Sequence, residues 1–550
     1  MDLLILESEW EKDNMAKELN INSIPKEKLV LVNMGDHIKD QKFEDKPIGY
    51  FKDAWRRFCK NKASIVAALI IIMIVLFAVI VPFFNASGTG TKQDTYYKQK
   101  GPRNVALSKI GIATGDVSRP DANVNSFINA VAIGIGSNTD FDNLPSIQEA
   151  LDSKNELYPV TSLDGVAPVK QGKKTNYMYS YTVDEYLEVG FIYRQVSQQE
   201  YQNILAWQEK EKIQVLYPLI DTTNKYCRDA RDANWWYKSL NNGSPMHTNE
   251  KGNVVQTIKG EATSDLVLDL VLEDNYLRDS EGNPVYWQYI GGGDAETAEC
   301  QIRVLYYNYY RYMHDGREAE FIFGTDSGGY NLAYRMAVGI RLSLLLSVCI
   351  FAINFVLGAM YGAVEGYYGG YVDLILEFVS YVLSGIPFIV VSTLFQIHLA
   401  AKVGPIPSLL FAFVMTGWIG TASLVRTQFY RFKNQEYVMA ARTLGAKDSR
   451  VIWKHIFPNT LGTIITSSVL AIPGVIFSES MLSYLGIVNL GSSTMTSLGT
   501  LLSDASSLWT ETPHLMLFPA AVISLLMICF NLFGNGLRDA FNPSLRGSED

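Results

Sequence analysis

The sequence lacks the residue patterns that metal sites, covalent catalysis and nucleotide binding normally require. Its 550 residues include five cysteines and six histidines, without a Cys-x-x-Cys pair or a His-Glu-x-x-His motif. The stretch QGKKT at 171–175 is not a phosphate-binding loop, because Ala167 stands where the first glycine of Gly-x-x-x-x-Gly-Lys-Ser/Thr is required. No local Ser/His/Asp or Cys/His motif is recognisable. The sequence therefore predicts no catalytic residue, no metal site and no cofactor in this chain.

Charged residues are also scarce, at 19% against 48% hydrophobic residues, and long runs lack them altogether. A bilayer core about 30 Å thick needs roughly 20 helical residues to cross it. Six apolar runs reach that length, and only the fifth contains a charged residue, Glu479. We therefore expect an α-helical polytopic membrane protein with transmembrane helices at 63–84, 342–364, 378–399, 403–425, 459–485 and 515–537. The first run is expected to be an anchor, not a cleaved signal peptide, because it begins beyond residue 60 and five others follow.

The distribution of Lys and Arg predicts the orientation of these helices. Four basic residues lie at 56–62, just before the first run, seven lie within 426–458, and none lies within 486–512. Since short cytoplasmic loops are enriched in Lys and Arg, both termini and the segment 426–458 are expected on the cytoplasmic side of the cell membrane. The expected organisation is a cytoplasmic segment at 1–62 with an interfacial helix, the first helix at 63–84, an outer domain at 85–325, a core at 326–537 and a cytoplasmic tail at 538–550.

The outer domain is expected to be an independently folded α/β domain inserted between the first two membrane helices. Its patterns favour a helix at 182–196 and a strand at 265–274. The tyrosine-rich segment 304–313 is either a recognition surface or, as we favour, a half-buried face. Cys227 and Cys300 either form a disulfide in an oxidising compartment or remain free thiols. The overall net charge of −9 says little about a partner, but the acidic character of the outer domain argues against nucleic acid.

The segment EYVMAARTLGAKDSRVIWKHIFPN at 436–459 reads as a short cytoplasmic helical hairpin. Asn434 is predicted to cap its first helix, Gly445 to end that helix, and Pro458 to stop the second. Tyr437, Ala440, Ala441 and Leu444 follow the i, i+3, i+4, i+7 spacing of one helix face. A stripe of small apolar residues beside basic neighbours fits a groove on another protein; packing on the chain's own membrane helices is the alternative.

The hairpin resembles the EAA loop of permease subunits of ATP-binding-cassette importers, the segment that forms their coupling helix. Ala440, Ala441, Gly445, Ile456 and Pro458 match that pattern. The departures are Met439, where glutamate is frequent, and Phe457, where leucine is usual. Five further segments, DAWRRFCKNK (53–62), FGTDSGGYNLAYRMAVGIRLSLLLS (323–347), GYYGGYVD (366–373), SESMLSYLGI (478–487) and FNLFGNGLRDAFNPSLR (530–546), resemble the C-type permease of the dipeptide, oligopeptide and nickel importers. In the second of these, Tyr330 and Asn331 replace the usual Arg-Asp.

The resemblance, which covers about 51–84 and 323–546, implies the six-helix permease fold of type I importers. It implies a non-catalytic subunit that pairs with a second homologous permease to form the pathway. The other implied partners are two ATPases, which carry ATP and Mg, an extracytoplasmic substrate-binding protein and a peptide as the substrate. Nickel or another small solute is the alternative within the family; a secondary carrier or a membrane receptor is the alternative outside it. Within the coupling hairpin at 433–458, the residues implied at the ATPase interface are Glu436, Tyr437, Ala440, Ala441, Arg442, Leu444, Gly445 and Ala446.

Two further features are expected inside the membrane. Pro387 and Pro473 should kink their helices and thereby either shape a pathway or relieve local packing. Glu479 is costly in a bilayer unless it is paired. Arg341, near the outer end of the second helix, is its predicted structural partner, and a role in contacting substrate is the alternative.

Overall fold

The structure, a computed structural model, describes residues 50–84, 92–138, 140–141, 143–153, 155–171, 174–258, 262–292, 299–492 and 494–541. The chain forms two units, Met1–Arg56 and Arg57–Asp550. The described residues of the first unit are helical, in a helix α1 that spans Tyr50–Lys60. It lies where the interfacial helix was expected, whereas 1–49 and 542–550 of the predicted cytoplasmic segments fall outside the described residues.

The first membrane helix, α2 (Lys62–Ile80), ends in a 3₁₀ turn at Val81–Phe84. Asn61 caps it, because its side chain accepts a hydrogen bond from the Ser64 amide. The helix is apolar on all sides, as expected of a segment that faces lipid.

The first sheet of the outer region is antiparallel, with strand order β1-β3-β2. Phe127, on the helix that follows β1, stacks on Tyr179 of β3 with ring centroids 4.7 Å apart, and both side chains are fully buried. This contact anchors the helix to the sheet. The elements are α3 (Val105–Ser108), β1 (Asp116–Asn123), α4 (Val124–Gly136), α5 (Ile147–Asp152), β2 (Val160–Gln171) and β3 (Lys174–Asp184).

The second sheet is also antiparallel, with order β4-β9-β5 and β8 paired to β9. Its central strand carries Arg303, a fully buried cation that donates to the carbonyl oxygens of Ala233 and Pro218 and lies over the Phe191 ring. The elements are β4 (Phe191–Ser197), α6 (Gln198–Glu211), β5 (Leu216–Tyr217), β6 (Met246–Thr248), β7 (Val254–Gln256), α7 (Ser264–Leu268), β8 (Trp287–Gly291), β9 (Glu299–Leu305) and α8 (Tyr306–Met313).

Two secondary-structure predictions for the outer region are wrong. The segment 182–196, expected to be helical, contains the end of β3 and most of β4; the aromatic and β-branched residues of β4 find a long antiparallel partner in β9. The segment 265–274, expected to be a strand, begins with the short helix α7 and continues with isolated bridges at Val271 and Asp274. Asp265 in the first turn of α7 favours that helix start.

The tyrosine-rich segment forms the end of β9 and the helix α8. Tyr306, Tyr307, Tyr309 and Tyr310 are each at most 5% exposed. Their rings belong to a core cluster with Tyr97, Tyr186 and residues of β4 and β9. The structure therefore places these tyrosines in the packing of the outer region and not on a recognition surface.

Cys227 and Cys300 do not form a disulfide, and both are free thiols. Cys300 pairs with Val196 in the β4–β9 ladder, whereas Cys227 lies beside Tyr193, which pairs with Arg303.

The described part of the chain contains five helices that are long and apolar enough to cross a membrane: Lys62–Phe84, Leu332–Tyr368, Pro405–Phe432, Asp448–Tyr484 and His514–Phe541. The run predicted as one helix at 378–399 is instead a pair, Gly370–Ser384 and Phe388–His398, bent by 73°. Pro387 lies at the break and precedes the second helix of the pair. Since proline has a fixed φ and no N–H group, it accounts for the break.

The remaining elements are α9 (Leu332–Tyr368), α10 (Gly370–Ser384), α11 (Phe388–His398), α12 (Ala400–Val403), α13 (Pro405–Gly417), α14 (Ile419–Phe432), α15 (Glu436–Thr443), α16 (Asp448–Arg450), a π-helical turn at Val451–Ile456, α17 (Phe457–Val469), α18 (Ala471–Tyr484), α19 (Leu498–Ala505) and α20 (His514–Phe541). Pro473 lies in the first turn of α18, where a proline is tolerated. Helix α9 begins ten residues before the predicted start, because Asn331 caps it through the Ala333 amide.

The outer region is joined to the membrane helices by a buried polar contact and an aromatic one. Asp326 pairs with Arg335 of α9 at 3.4 Å, and its backbone carbonyl accepts from the Gln99 amide. Phe323 packs between Phe77 of α2 and Phe518 of α20, at centroid distances of 6.2 and 4.7 Å.

Candidate partner-docking site

The cytoplasmic hairpin predicted from the sequence is a helix, a tight turn and a second helical limb. Helix α15 begins after Gln435, so the residue that precedes the helix is Gln435 and not Asn434, and its side chain makes no capping hydrogen bond. Gly445 ends the turn with φ of +83°, a conformation that favours glycine. The Ala446 amide donates to the Ala441 carbonyl across this turn at 3.0 Å.

The predicted stop at Pro458 is wrong. Pro458 lies in the first turn of α17, and the helical path runs from Asp448 through the π-helical turn into the rest of the long helix Asp448–Tyr484. Proline is tolerated there because a wider π-helical turn precedes it and alters the local pattern of amide donors. The second limb of the hairpin is therefore continuous with a membrane helix.

The inner face of the hairpin packs on the membrane helices. Val438 is fully buried and clusters with Val451, Ile452 and Ile456 of the second limb, and with Phe429 of α14. On average a fully buried side chain of this size contributes about 1.5–3 kcal/mol to stability. The hairpin is thus held against its own spans through one face of α15.

A polar contact fixes the second limb to the C-terminal end of α9. The Tyr367 hydroxyl donates to Asp448 Oδ1 at 2.6 Å. The guanidinium of Arg442 lies 4.9 Å from the centroid of the Tyr367 ring. Because of these contacts, a displacement of the hairpin is expected to move or strain the C-terminal end of α9 directly.

The opposite face of the hairpin is apolar, and none of the described residues covers it. Leu444 is 89% exposed, Met439 50% and Tyr437 38%. Ala440 and Gly445 are also exposed, and Ala441 and Ala446 are half-buried. Exposed basic residues surround this face, at Arg442, Lys447 and Arg450. The predicted stripe of Tyr437, Ala440, Ala441 and Leu444 therefore faces solvent, with Ala441 at its edge.

Sequence reasoning missed the close packing of α9 on α14, beside the hairpin. Gly358, Gly362 and Gly366 recur every four residues on α9. A Cβ atom at Gly358 would lie 2.6 Å from the Trp418 carbonyl oxygen, one at Gly366 would lie 2.7 Å from Phe429 Cβ, and one at Gly362 would overlap the Ala422 carbonyl. The small-xxx-small spacing was the available signal.

Sequence reasoning also missed a charge cluster centred on Arg426. Its guanidinium forms a bidentate contact with Asp373, at 2.6 and 2.8 Å, and contacts Glu377 at 2.9 Å and Glu365 at 3.4 Å. Tyr430 donates to Asp373 at 2.6 Å. The cluster links α9, α10 and α14 at the level of the hairpin. Its signal was the i, i+4 pair of acids at 373 and 377.

Known families match both ends of the chain. Residues 354–547 match the inner membrane component of binding-protein-dependent transport systems, and residues 49–102 match the N-terminal transmembrane domain of oligopeptide transport permease C. The oligopeptide transport system permease protein of Haemophilus influenzae is 39% identical over 230 residues, which cover 42% of this chain and 72% of that protein. This chain belongs to the oligopeptide and dipeptide transport permease family.

Other similarities are shorter. The oligopeptide transport system permease protein of Bacillus subtilis is 45% identical over 139 residues. The matched residues make up 25% of this chain and 45% of that relative, so this chain spans about half of the relative's length. Among solved structures, an inward-facing form of the MetNI methionine ABC transporter aligns with 38% of this permease and 98% of its own chain, at 14% identity and a TM-score of 0.32. The several apolar helices of the permease fit the type I importer fold expected from the sequence.

The predicted ion pair between Arg341 and Glu479 is not formed in the described part of the permease. Glu479 is 1% exposed, and its carboxylate accepts from the Ser343 hydroxyl at 3.0 Å and from Ser483 at 3.1 Å. Arg341 lies two residues before Ser343 on α9 and is exposed. A carboxylate with two hydroxyl donors needs no guanidinium to satisfy its oxygens, which is why Arg341 is free to face outward.

Proposed function

We propose that this permease is the non-catalytic transmembrane subunit of an ATP-driven importer of oligopeptides or dipeptides. It forms half of the translocation pathway together with a second homologous permease. Two cytoplasmic ATPase subunits, which bind ATP and Mg, drive the cycle, and an extracytoplasmic substrate-binding protein delivers the peptide. The names of the relatives support peptide as the cargo.

The observation that carries the proposal is the hairpin, packed on its own spans by one face and apolar on the other. The proposed ATPase interface comprises Glu436, Tyr437, Ala440, Ala441, Arg442, Leu444, Gly445 and Ala446. The exposed side chain of Leu444, beside small residues, can insert into an apolar groove on the ATPase. The basic neighbours favour a groove with acidic residues at its rim.

The proposed topology has six spans, with the bent pair α10 and α11 counted as one. Both termini and the hairpin are placed on the cytoplasmic side of the cell membrane, and residues 85–325 form an outer α/β insertion. The basic residues of the hairpin and the absence of Lys and Arg from 486–512 support this orientation.

The decisive experiment compares tagged wild-type permease with Leu444→Asp in pull-downs from native membranes, with the captured chains identified by mass spectrometry. We expect the wild type to retain a second permease and chains with nucleotide-binding motifs. Leu444→Asp should lose the ATPases and retain the second permease, because Leu444 contributes nothing to the core but a charge there opposes apolar docking.

The matched control is Leu266→Asp, which places the same charge at an exposed leucine of the outer region. It should leave the captured set unchanged. Retention of the ATPases by Leu444→Asp at the wild-type level would exclude the hairpin face as the docking surface, and their absence from the wild type would contradict the importer.

A further inference from the structure

The outer region contains an open cavity of about 790 Å³ at the edge of its first sheet. This volume lies within the range of pockets that hold small ligands. The walls come from the start of α4, from β3 and from the loop around Gly243. The polar residues that line it are mostly carboxamides: Asn123, Asn125, Asn129, Asn176, Asn242 and Gln256.

Three of the lining residues converge on Gly243. A Cβ atom at Gly243, whose φ is +88°, would lie 3.0 Å from Arg228 Nη1, 3.3 Å from the Trp235 ring and 3.4 Å from Asn125 Cβ. The guanidinium of Arg228 stacks on the Trp235 ring at 3.6 Å from its centroid. Stacking holds the guanidinium plane in place and leaves its N–H groups at the plane's edge for a ligand.

The cavity has polar atoms without partners. Within the described residues, Arg228 forms no ion pair or hydrogen bond, and none of the described residues that line the cavity is acidic. The side-chain oxygens of Asn125 and Asn129 are buried and accept no hydrogen bond from any described residue. Buried acceptors without donors lower the stability of the fold.

The helix α4 adds a second favourable feature for a negative charge. Its first residues, Val124 to Ser126, line the same cavity, as does Asn123, whose side chain caps the helix by accepting from the Ser126 amide. The N-terminal end of a helix carries a partial positive charge. Together with Arg228, it makes the cavity suited to an anionic group beside neutral hydrogen-bonding groups.

We propose that this cavity binds a short peptide, with its C-terminal carboxylate at Arg228 and its backbone amides at the asparagine side chains. A carboxamide both donates and accepts, so it matches the N–H and C=O groups of a peptide backbone whatever the side chains are. Tyr177, which is half-buried, supplies apolar surface for those side chains. The inference depends on the proposed function only for the choice of peptide as cargo.

The test measures binding of fluorescein-labelled tetra-alanine to the purified full-length permease in lipid nanodiscs, by fluorescence anisotropy. The same peptide with a C-terminal amide is the second probe. Saturable binding of the free-acid peptide is expected, with a Kd at least about tenfold lower than that of the amide, since a charge-assisted hydrogen bond is lost.

Arg228→Gln should raise the Kd of the free-acid peptide about tenfold and leave that of the amide nearly unchanged, which identifies the carboxylate as the group that Arg228 contacts. The matched control is Arg231→Gln, three residues away, where the arginine is exposed and pairs with Asp229. It should bind like the wild type. Equal binding of both probes by the wild type, or displacement by glucuronic acid but not by unlabelled tetra-alanine, would overturn the proposal.

The two proposals fail separately. Absence of peptide binding in a permease that still captures its ATPases would reject the cavity and leave the importer standing. Peptide binding by a permease that captures no ATPase would reject the importer and leave the cavity standing.

Discussion

At the scale of single residues, Arg426 contacts three acidic side chains from two other helices. Its side chain is 24% exposed, whereas those of Glu365 and Asp373 are 4% and 13% exposed. A carboxylate that loses its partner in such a place keeps the cost of desolvation without the compensating attraction. The cluster is therefore a point where one substitution affects three helices.

Arg426→Gln should lower the free energy of unfolding by about 2 kcal/mol or more, because three carboxylates are left without a cation. The expected measurement is a drop in Tm of several degrees for the detergent-solubilised permease. Arg431→Gln is the control, since Arg431 is exposed and, within the described residues, contacts only the Phe432 ring, at 5.8 Å from its centroid. Equal Tm values for the two variants would show that the cluster contributes no stability.

At the scale of elements, apolar run length predicts where the membrane helices lie but not where they end. The run at 378–399 is two helices that break at Pro387. Run length alone does not show whether a proline breaks a helix, because that depends on the structure around it. Pro458 has the same chemistry and breaks nothing, because a π-helical turn precedes it. In the outer region the ladder between β4 and β9 overrides the local helical pattern of 182–196. Pairing between strands about 100 residues apart cannot be predicted from the local sequence of either strand.

The hairpin could be recognised from sequence because its determinants are local. Gly445 takes the left-handed conformation that its position predicts. The face that packs on the spans, with Val438 at its centre, depends instead on α9, which is distant in sequence, as well as on the adjacent α14. The same distance explains why the Arg426 cluster was missed, although each of its charges was visible.

The packing of α9 on α14 gives a matched pair of substitutions. Gly362→Ala should destabilise the permease, because the added Cβ overlaps the Ala422 carbonyl oxygen, whereas a Cβ at Gly420 of α14 meets nothing within 4 Å. Gly420→Ala should be neutral or stabilising by up to about 1 kcal/mol from helix propensity. Thermal unfolding of both variants measures the difference, and a Tm for Gly362→Ala equal to that of Gly420→Ala would show that the two helices do not depend on this contact.

At the scale of the whole molecule, the outer region is built onto the membrane helices at its base. Asp326 binds Arg335, and burial raises the pKa of the Asp326 carboxyl although the Tyr330 amide and Arg335 oppose the shift. Phe323 lies between α2 and α20. A domain attached through buried contacts of this kind is expected to move with the helices that carry it.

The proposed orientation is tested by labelling with a membrane-impermeant maleimide, in a permease whose five native cysteines are replaced by serine. Thr222→Cys, at an exposed position of the outer region, should react in intact cells. Thr443→Cys, on the exposed face of the hairpin, should react only after permeabilisation. The reverse pattern would invert the topology, and the importer would then have its docking face on the wrong side.

The uninterrupted path from the hairpin into the long helix Asp448–Tyr484 has a mechanical consequence. From Asp448 to Val469 the chain runs through 22 residues of helical structure, a rod of about 33 Å. If such a rod tilts by about 10° about its Asp448 end, its Val469 end moves by about 6 Å. This displacement is comparable to the rise of one helical turn. A flexible linker in the same place would not transmit that motion to the membrane helix. Because the π-helical turn before Pro458 keeps the segment helical, we expect the segment to transmit the motion as a rigid unit.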